Sequence, residues 1–274
     1  MPESDECVIH PTAVIDAKAQ LGKGVHVGAY SVIGADVMIG DNTKIASHVV
    51  ISGPTEIGPD CDIHSFTILG DTPQHTKYAG EDTKLIIGAR NIIREHVTMH
   101  RGTVLDEGVT QIGSDSFFMV GTHVAHDCVI GDHAILANGV GLAGHVKAGD
   151  HVYFGGYCAI HPFVKIGSQA IIGAKSTVVE DVIPYGAVVG EHASLQGLNV
   201  IGLKRRGFSK SEVQDLRKGY KTLFEDAEGV FQTRLEDMRA DPATSKAMHD
   251  ILDFITSERK RPLCHPVLGA QKRA

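Results

Sequence analysis

The chain has 274 residues, 31 of them glycine, no tryptophan, few aromatics, five cysteines and a formal net charge of −7. That length admits one large domain and a smaller one, with a core assembled from Ile, Val, Leu and Ala rather than large rings. The acidic balance excludes general nucleic-acid binding, which needs a basic surface to neutralise phosphates.

The N-terminal stretch MPESDECVIHPTA has no basic region followed by an apolar run, so no secretory signal is expected. No stretch approaches the roughly 18 consecutive apolar residues of a membrane span. Five cysteines without framework spacing fit a reducing cytoplasm.

From the ninth residue onward the sequence keeps a period of six. Ile9, Ile15, Leu21, Val27, Ile33, Ile39, Ile45, Ile51, Ile57, Ile63 and Leu69 recur without a slip. The beat returns at Ile87, Ile93 and Met99, then runs from Ile112 through Val124, Ile130, Leu142, Ile160 and Ile172 to Val178. Four residues after each apolar position stands a small or β-branched one, such as Val25, Thr43, Cys61, Thr122, Cys128 or Cys158. Glycine often follows the apolar residue, where a corner needs permissive backbone.

Neither a helix nor a single strand has this period. Hexapeptide repeats build a parallel β-helix, in which three short strands and three corners make a triangular coil of eighteen residues. Both the large apolar residue and the small one four later point into the prism. Similarity to known hexapeptide-repeat proteins implies a left-handed coil.

Two polar segments, 71–84 and 101–111, interrupt the beat and read as loops expelled from the prism; long loops in such a domain are usually functional. Pro184 is expected to end the repeat. Further on, Ser209 and Glu212 have capping-box spacing, and Val213, Leu216, Tyr220, Leu223 and Phe224 follow at helical intervals. Helices are also expected over QTRLEDMRA and SKAMHDILDFITSERK, with RPLCHPVLGAQKRA as a loose tail. The division is a mainly β domain, residues 1–196, and an α-helical C-terminal domain, residues 197–274.

Phase sorts the reactive side chains. Cys61, Cys128 and Cys158 fall on the small inward position and are expected to be buried thiols. His100, His123, His126, His145 and His161 miss both inward phases and must lie outside or at corners. His126 and His145 are nineteen residues apart and His145 and His161 sixteen, so they are expected to stack on successive coils as a file about 10 Å long, with Asp127 beside it. Three converging imidazoles would suit zinc. One imidazole as base with others as donors would suit a transferase. His10, His133 and His249 read as solvent-facing decoration.

The segments HVAHDCVIG, LAGHV, AIHPF, VTMHRGT and GLNVIGLKRRGFS, with a helical tail after the repeats, resemble the acyl-[acyl-carrier-protein]–UDP-N-acetylglucosamine O-acyltransferase family over nearly the whole chain. The resemblance implies transfer of a 3-hydroxyacyl chain from acyl carrier protein to the glucosamine 3-OH, the first acylation of lipid A biosynthesis. It implies a cytoplasmic homotrimer that binds no cofactor or metal of its own. The 4'-phosphopantetheine arrives on the carrier protein.

By position in these motifs His126 is the general base, Asp127 its partner and the Gly144 N–H the oxyanion donor. Gln74, Lys77, His100, His123, His145, His161, His192, Asn199, Arg205 and Arg206 bind substrate, Gln74 and Lys77 from a neighbouring subunit, and Ala174 forms the floor of the acyl groove. Lys204, Arg205, Arg206, Arg217, Lys218 and Lys221 offer a basic patch for the acidic carrier protein.

Three positions depart from the family's usual pattern: His75 stands for aspartate, Pro162 for glutamine, and Ile201 where some relatives are acidic. They bear on how the acceptor is held and on whether it carries a 3-hydroxyl or a 3-amino group. A γ-type carbonic anhydrase shares the prism but spaces its paired histidines five apart, whereas His123 and His126 are three apart. A related N-acyltransferase normally has an extra N-terminal domain. A scaffold or antifreeze-like solenoid would lack the loops and the histidines.

Overall fold

The computed structural model describes residues 6–225 and 229–267. Through the repeat, each short strand contains a period-six residue and nearly all end on it, from Val8–Ile9 and Val14–Ile15 to Ile171–Ile172 and Thr177–Val178. Each strand pairs in parallel with the one a full coil away, as Val124 with Leu142 and Ile130 with Ala148, eighteen residues on in each case. Every third strand therefore joins the same sheet. Three sheets result among the described residues, of eleven, nine and eight strands. The coil is left-handed, and nearly every corner places a residue at φ near +60°, such as Asp127 (59°), His145 (63°) and Phe163 (68°).

The inward phases are as the spacing predicts. Val124, Cys128, Ile130, Ala134, Leu136, Val140 and Leu142 are buried without exception, one layer above the next. A fully buried Val, Leu or Ile contributes roughly 1.5–3 kcal/mol, so a six-residue pattern held over so many coils suffices to fix the register. The Cys128 and Cys158 thiols lie in this core, where burial pushes each up to about 12.

The three faces meet at three edges. The first face holds Val8–Ile9 and Ile135–Leu136, the second Val14–Ile15 and His123–Val124, and the third Gln20–Leu21 and Val129–Ile130. Both polar interruptions leave from the edge between the second and third faces, on two consecutive coils. One runs between strands Ile68–Asp71 and Lys84–Ile87, the other between Thr98–His100 and Val109–Ile112. The excursions are thus 72–83 and 101–108. Val109, Thr110 and Gln111 are polar in part yet pair in the ladder, because backbone bonding to Lys84–Ile87 is indifferent to side-chain polarity.

Pro184 does not end the sheet. Strand Gly186–Val189 continues the first face in parallel with Ile171–Ile172, and Ser194–Leu198 then turns back antiparallel to it. An additional helix, α1 (Val200–Arg205), is capped by the Asn199 side chain accepting from Gly202 N–H at 3.0 Å. Next comes α2 (Lys210–Tyr220), opened by the reciprocal Ser209–Glu212 capping box and continued by a π-helical turn over Lys221–Glu225. Helices α3 (Phe231–Ala240) and α4 (Lys246–Thr256) complete the bundle, with Leu216, Leu223, Leu235, Ile251 and Leu252 in its core.

The segment after α4 is not loose up to His265. Leu263 bridges Asp181, Cys264 is buried against Ala193, and Leu195 N–H donates to the His265 carbonyl. The buried apolar pair Leu263–Cys264 carries that anchoring. Residues 268–274 of the expected tail lie outside the described residues.

Candidate active site

His126 and Asp127 form the corner between the second and third faces, one coil beyond the two expelled loops. That position explains their burial. An outward corner residue would ordinarily be wet, but the loops fold over it, and His126 is only 8% exposed and Asp127 2%.

The contacts define protonation at the ring. His126 Nδ1 lies 2.8 Å from Asp127 Oδ2, and a carboxylate can only accept, so Nδ1 carries the proton and Nε2 keeps the lone pair. Asp127 is itself held by the second loop. Its Oδ1 accepts from the Thr103 N–H at 2.7 Å and its Oδ2 from the Thr103 hydroxyl at 2.7 Å. Its own N–H donates to Thr110 Oγ1 at 2.8 Å. Burial pushes the Asp127 carboxyl up, but the hydrogen bonds from His126 and Thr103 outweigh it and hold it below its ordinary value.

The next coil along this edge brings His145 under His126, ring edge against ring at 5.2 Å. His145 lies between two carboxylates, with Nδ1 3.1 Å from Asp106 of the second loop and Nε2 3.7 Å from Asp127. Gly144 precedes it, and the absence of a side chain is required: a Cβ there would stand 2.5 Å from His126 Cε1 and 2.8 Å from Nε2. The Gly144 N–H has no partner among the described residues.

The file of rings differs from the one the spacing predicts. Below His145 lies Phe163, stacked at 4.4 Å, and above His126 lies His75 of the first loop, edge-on at 5.4 Å. One coil is eighteen residues, so the column runs Asp127, His145, Phe163. His161, sixteen beyond His145, falls two positions short of the corner, where Arg261 donates to it at 2.6 Å.

The remaining histidines form a second group. His123 projects from the second face with Nδ1 2.7 Å from Thr98 Oγ1 and its ring 5.3 Å from His100, whose Nδ1 donates to the Thr72 carbonyl at 2.7 Å. Burial, helped by His100 and His126, pushes His123 below the ordinary imidazole value. In the first loop, Gln74 and Lys77 are exposed, and the Lys77 N–H donates to His75 Nδ1.

Other site residues from the sequence stand at other edges. Asn199 donates to the Gln169 carbonyl and Arg206 to the Gln169 side chain at 2.8 Å, which places them with exposed Arg205 at the edge between the third and first faces. Burial lowers the Arg206 pKa. Ala174 is exposed at the edge between the first and second faces. The turn bearing exposed His192 lies near it, since Gly190 N–H donates to Ser176 and Ala193 N–H to the Thr177 carbonyl. One chain therefore brings together His126, Asp127, Gly144 and His145, and spreads the rest over three edges.

Thr103, Asp106, Thr110, Phe163 and Arg261 are the members that sequence reasoning did not single out. The polarity of segment 101–111 marked its loop but not which side chains turn inward.

Among the described residues, the donor atoms of His126, Asp127 and His145 all lie within 4.8 Å of one another, as a metal centre would need. His126 Nδ1 and both Asp127 oxygens are engaged in the hydrogen bonds above, while His126 Nε2 is not.

Comparison with known proteins follows the same line. A family profile described as UDP N-acetylglucosamine O-acyltransferase, domain 2, matches residues 181–264, and bacterial transferase hexapeptide repeats match 36–71 and 109–144. The chain is 52% identical over 258 residues to the acyl-[acyl-carrier-protein]–UDP-N-acetylglucosamine O-acyltransferase of Caulobacter vibrioides, covering 94% of this chain and 98% of that protein. The solved structure of LpxA from Acinetobacter baumannii is similar with a TM-score of 0.88 at 42% identity, covering 94% of this chain and all of that one. The Francisella novicida UDP-N-acetylglucosamine acyltransferase gives 0.90 at 34% identity, covering 94% of each.

Proposed function

The chain belongs to the acyl-[acyl-carrier-protein]–UDP-N-acetylglucosamine O-acyltransferase family, and we propose that its transfer of an acyl chain from acyl carrier protein to UDP-N-acetylglucosamine runs through His126 as general base. The observation that carries this is the committed tautomer: Asp127 takes the Nδ1 proton and leaves Nε2 to receive another. As the glucosamine 3-hydroxyl attacks the thioester carbonyl, His126 Nε2 takes its proton and Asp127 stabilises the imidazolium that forms. The Gly144 N–H hydrogen-bonds the oxyanion. Collapse expels the pantetheine thiol, which regains a proton from His126. The acyl group is a 3-hydroxyacyl chain and the cofactor is the 4'-phosphopantetheine carried in by its protein.

His75, His100, His123, His145 and His161 then line the acceptor on the same edge. Asn199, Arg205, Arg206, Ala174 and His192 complete the site from other subunits, because one prism cannot turn three edges toward one substrate. A homotrimer accounts for this and for two otherwise unexplained surfaces. Val14, Val32, Val50 and Ile68 form an exposed apolar row in register on the second face. Tyr30, His48, Phe66 and His96 stack at the adjoining edge with centroids 5.2–5.3 Å apart.

The carrier protein docks on exposed Lys204, Arg205, Arg206, Arg217, Lys218 and Lys221 of α1, α2 and the turn after them. We place the enzyme in the cytoplasm, where the five free cysteines persist. No helix among the described residues is long and apolar enough to cross a membrane.

The test is an assay of purified protein with 3-hydroxyacyl carrier-protein thioesters against UDP-N-acetylglucosamine and its 3-amino analogue. The expected product is the 3-O-acyl sugar nucleotide, and its loss in a folded His126→Ala variant. Turnover dependent on added zinc and independent of His126 would overturn the reading.

A further inference from the structure

The strand Ala159–Ile160 delivers His161 to the site edge, where the prism itself offers its ring only the Pro162 carbonyl at a long 3.4 Å. The next residue, Pro162, has no side-chain donor and no N–H. The gap is filled from the C-terminal segment after α4, a hundred residues on. Arg261 Nε donates to the Pro162 carbonyl at 2.9 Å, and an Arg261 terminal N–H donates to His161 Nδ1 at 2.6 Å. A guanidinium cannot accept a hydrogen bond, so this contact requires a lone pair at Nδ1 and leaves Nε2 as the donor end of the ring. The Pro162 carbonyl, at 3.4 Å from Nδ1, is too distant to compete for a proton there.

Those two bonds use only part of the guanidinium fork, and its other N–H groups have no partner among the described residues. The surroundings are strongly cationic. Lys147 and Lys165 stand directly opposite each other on neighbouring strands, a like-charge pairing that costs stability. Both line a cavity of about 160 Å³ with His145, Arg259 and Lys260, and Lys260 lies 4.7 Å from the centre of the Phe163 ring. Two acids in that lining, Asp106 and Glu258, stand against four cations, and buried Asp181 nearby is shared among Lys165, Arg259 and Arg261. Such a pocket, one coil from the base, fits a polyanion covalently tied to the reacting sugar.

We propose that Arg261 is a positioning residue for the sugar nucleotide. It fixes His161 as an Nε2–H donor and directs its remaining N–H groups, with Lys147 and Lys165, at the diphosphate. This rests on the reading that the acceptor sugar lies beside His126. Fork-shaped donors suit phosphate oxygens better than a point charge does, so arginine and lysine should differ here.

The experiment measures steady-state kinetics and thermal stability of wild type, Arg261→Ala, Arg261→Lys, His161→Ala and the Arg261→Ala/His161→Ala double variant, with UDP binding by calorimetry. Arg261→Ala should raise KM for the sugar nucleotide about tenfold, the order of one charge-assisted hydrogen bond. UDP affinity should weaken in parallel, while kcat and KM for the acyl carrier protein stay within about threefold. Arg261→Lys should recover only part of the loss. In the His161→Ala background the Arg261→Ala effect should shrink, because the two act together. Adding Pro162→Gln to Arg261→Ala, which returns a side-chain donor, should restore some affinity.

An unchanged KM in folded Arg261→Ala overturns the proposal. So does a fall in kcat and both KM terms that tracks lost thermal stability, which would make the contact structural. If Arg261→Ala does not fold, the same split is read from Arg261→Lys. A wild type inactive with every acceptor would instead refute the reading of the site.

Discussion

Replacing Gly144 by Ala isolates the placement of the base from its chemistry. The added methyl would lie 2.5 Å from His126 Cε1, where carbon atoms settle at about 3.5 Å, so the ring must retreat by about 1 Å. The backbone at 144 is not in the left-handed region, and its coil equivalents are His126 and Pro162, so alanine carries no conformational penalty. The variant also keeps the N–H that is to bind the oxyanion. Only the ring position changes. A misplacement of about 1 Å can cost about 100-fold in rate, or about 2.7 kcal/mol of transition-state stabilisation. The assay is kcat/KM with acyl carrier protein thioester and UDP-N-acetylglucosamine, beside circular dichroism and thermal melting to show an intact prism. Activity within about threefold of wild type in folded protein would refute the reasoning, since the base would then have slack that the packing denies it.

His126→Ala itself should lower turnover about 10²–10⁴-fold with the fold retained, the range for loss of a general base; near-normal turnover would sink the mechanism. Asp127 has a depressed folded pKa, so its stabilising contribution is present above the unfolded carboxylate value near 3.9 and is lost as pH falls through the lower folded value. The melting-temperature deficit of Asp127→Asn should therefore be full at pH 7 and shrink as pH falls below the ordinary carboxylate value, and a deficit constant from pH 7 to 2 would contradict the assignment. Light scattering of active enzyme should give a trimer mass; an active monomer would remove the intersubunit site. Ala174→Gly should shift thioester preference to longer acyl chains and Ala174→Met to shorter ones, each mismatched methylene costing about 0.8 kcal/mol. Identical length profiles in all three proteins would show that Ala174 is not the groove floor.

The prism was legible from the chain alone because its determinant is local and repeated. An inward Ile or Val every sixth residue is satisfied only by one strand per hexapeptide, and each coil repeats the same test, so Val27 through Val178 are buried where the period puts them, and only the first coil, with Ile9 exposed, lacks a layer to cover it. The thiols of Cys61, Cys128 and Cys158 followed from phase alone. The α2 cap was equally local, since Ser209 and Glu212 meet within one turn.

Contacts made by the exceptions to the period were not legible. Thr103 and Asp106 lie in a loop with no phase to count, and only the closed fold lays them on Asp127 and His145. The third ring of the file is Phe163 rather than His161 because corner columns advance by eighteen, not by the average spacing of histidines. Arg261 reaches His161 across 100 residues, through a C-terminal segment whose anchoring by Leu263 and Cys264 has no periodic signature. The sequence by itself determined the scaffold and marked His126 and Asp127 as neighbours at one of its corners. The tertiary structure decided which polar groups surround them and which ring nitrogen is free, because a hydrogen bond depends on positions in space that a short-range repeat does not encode.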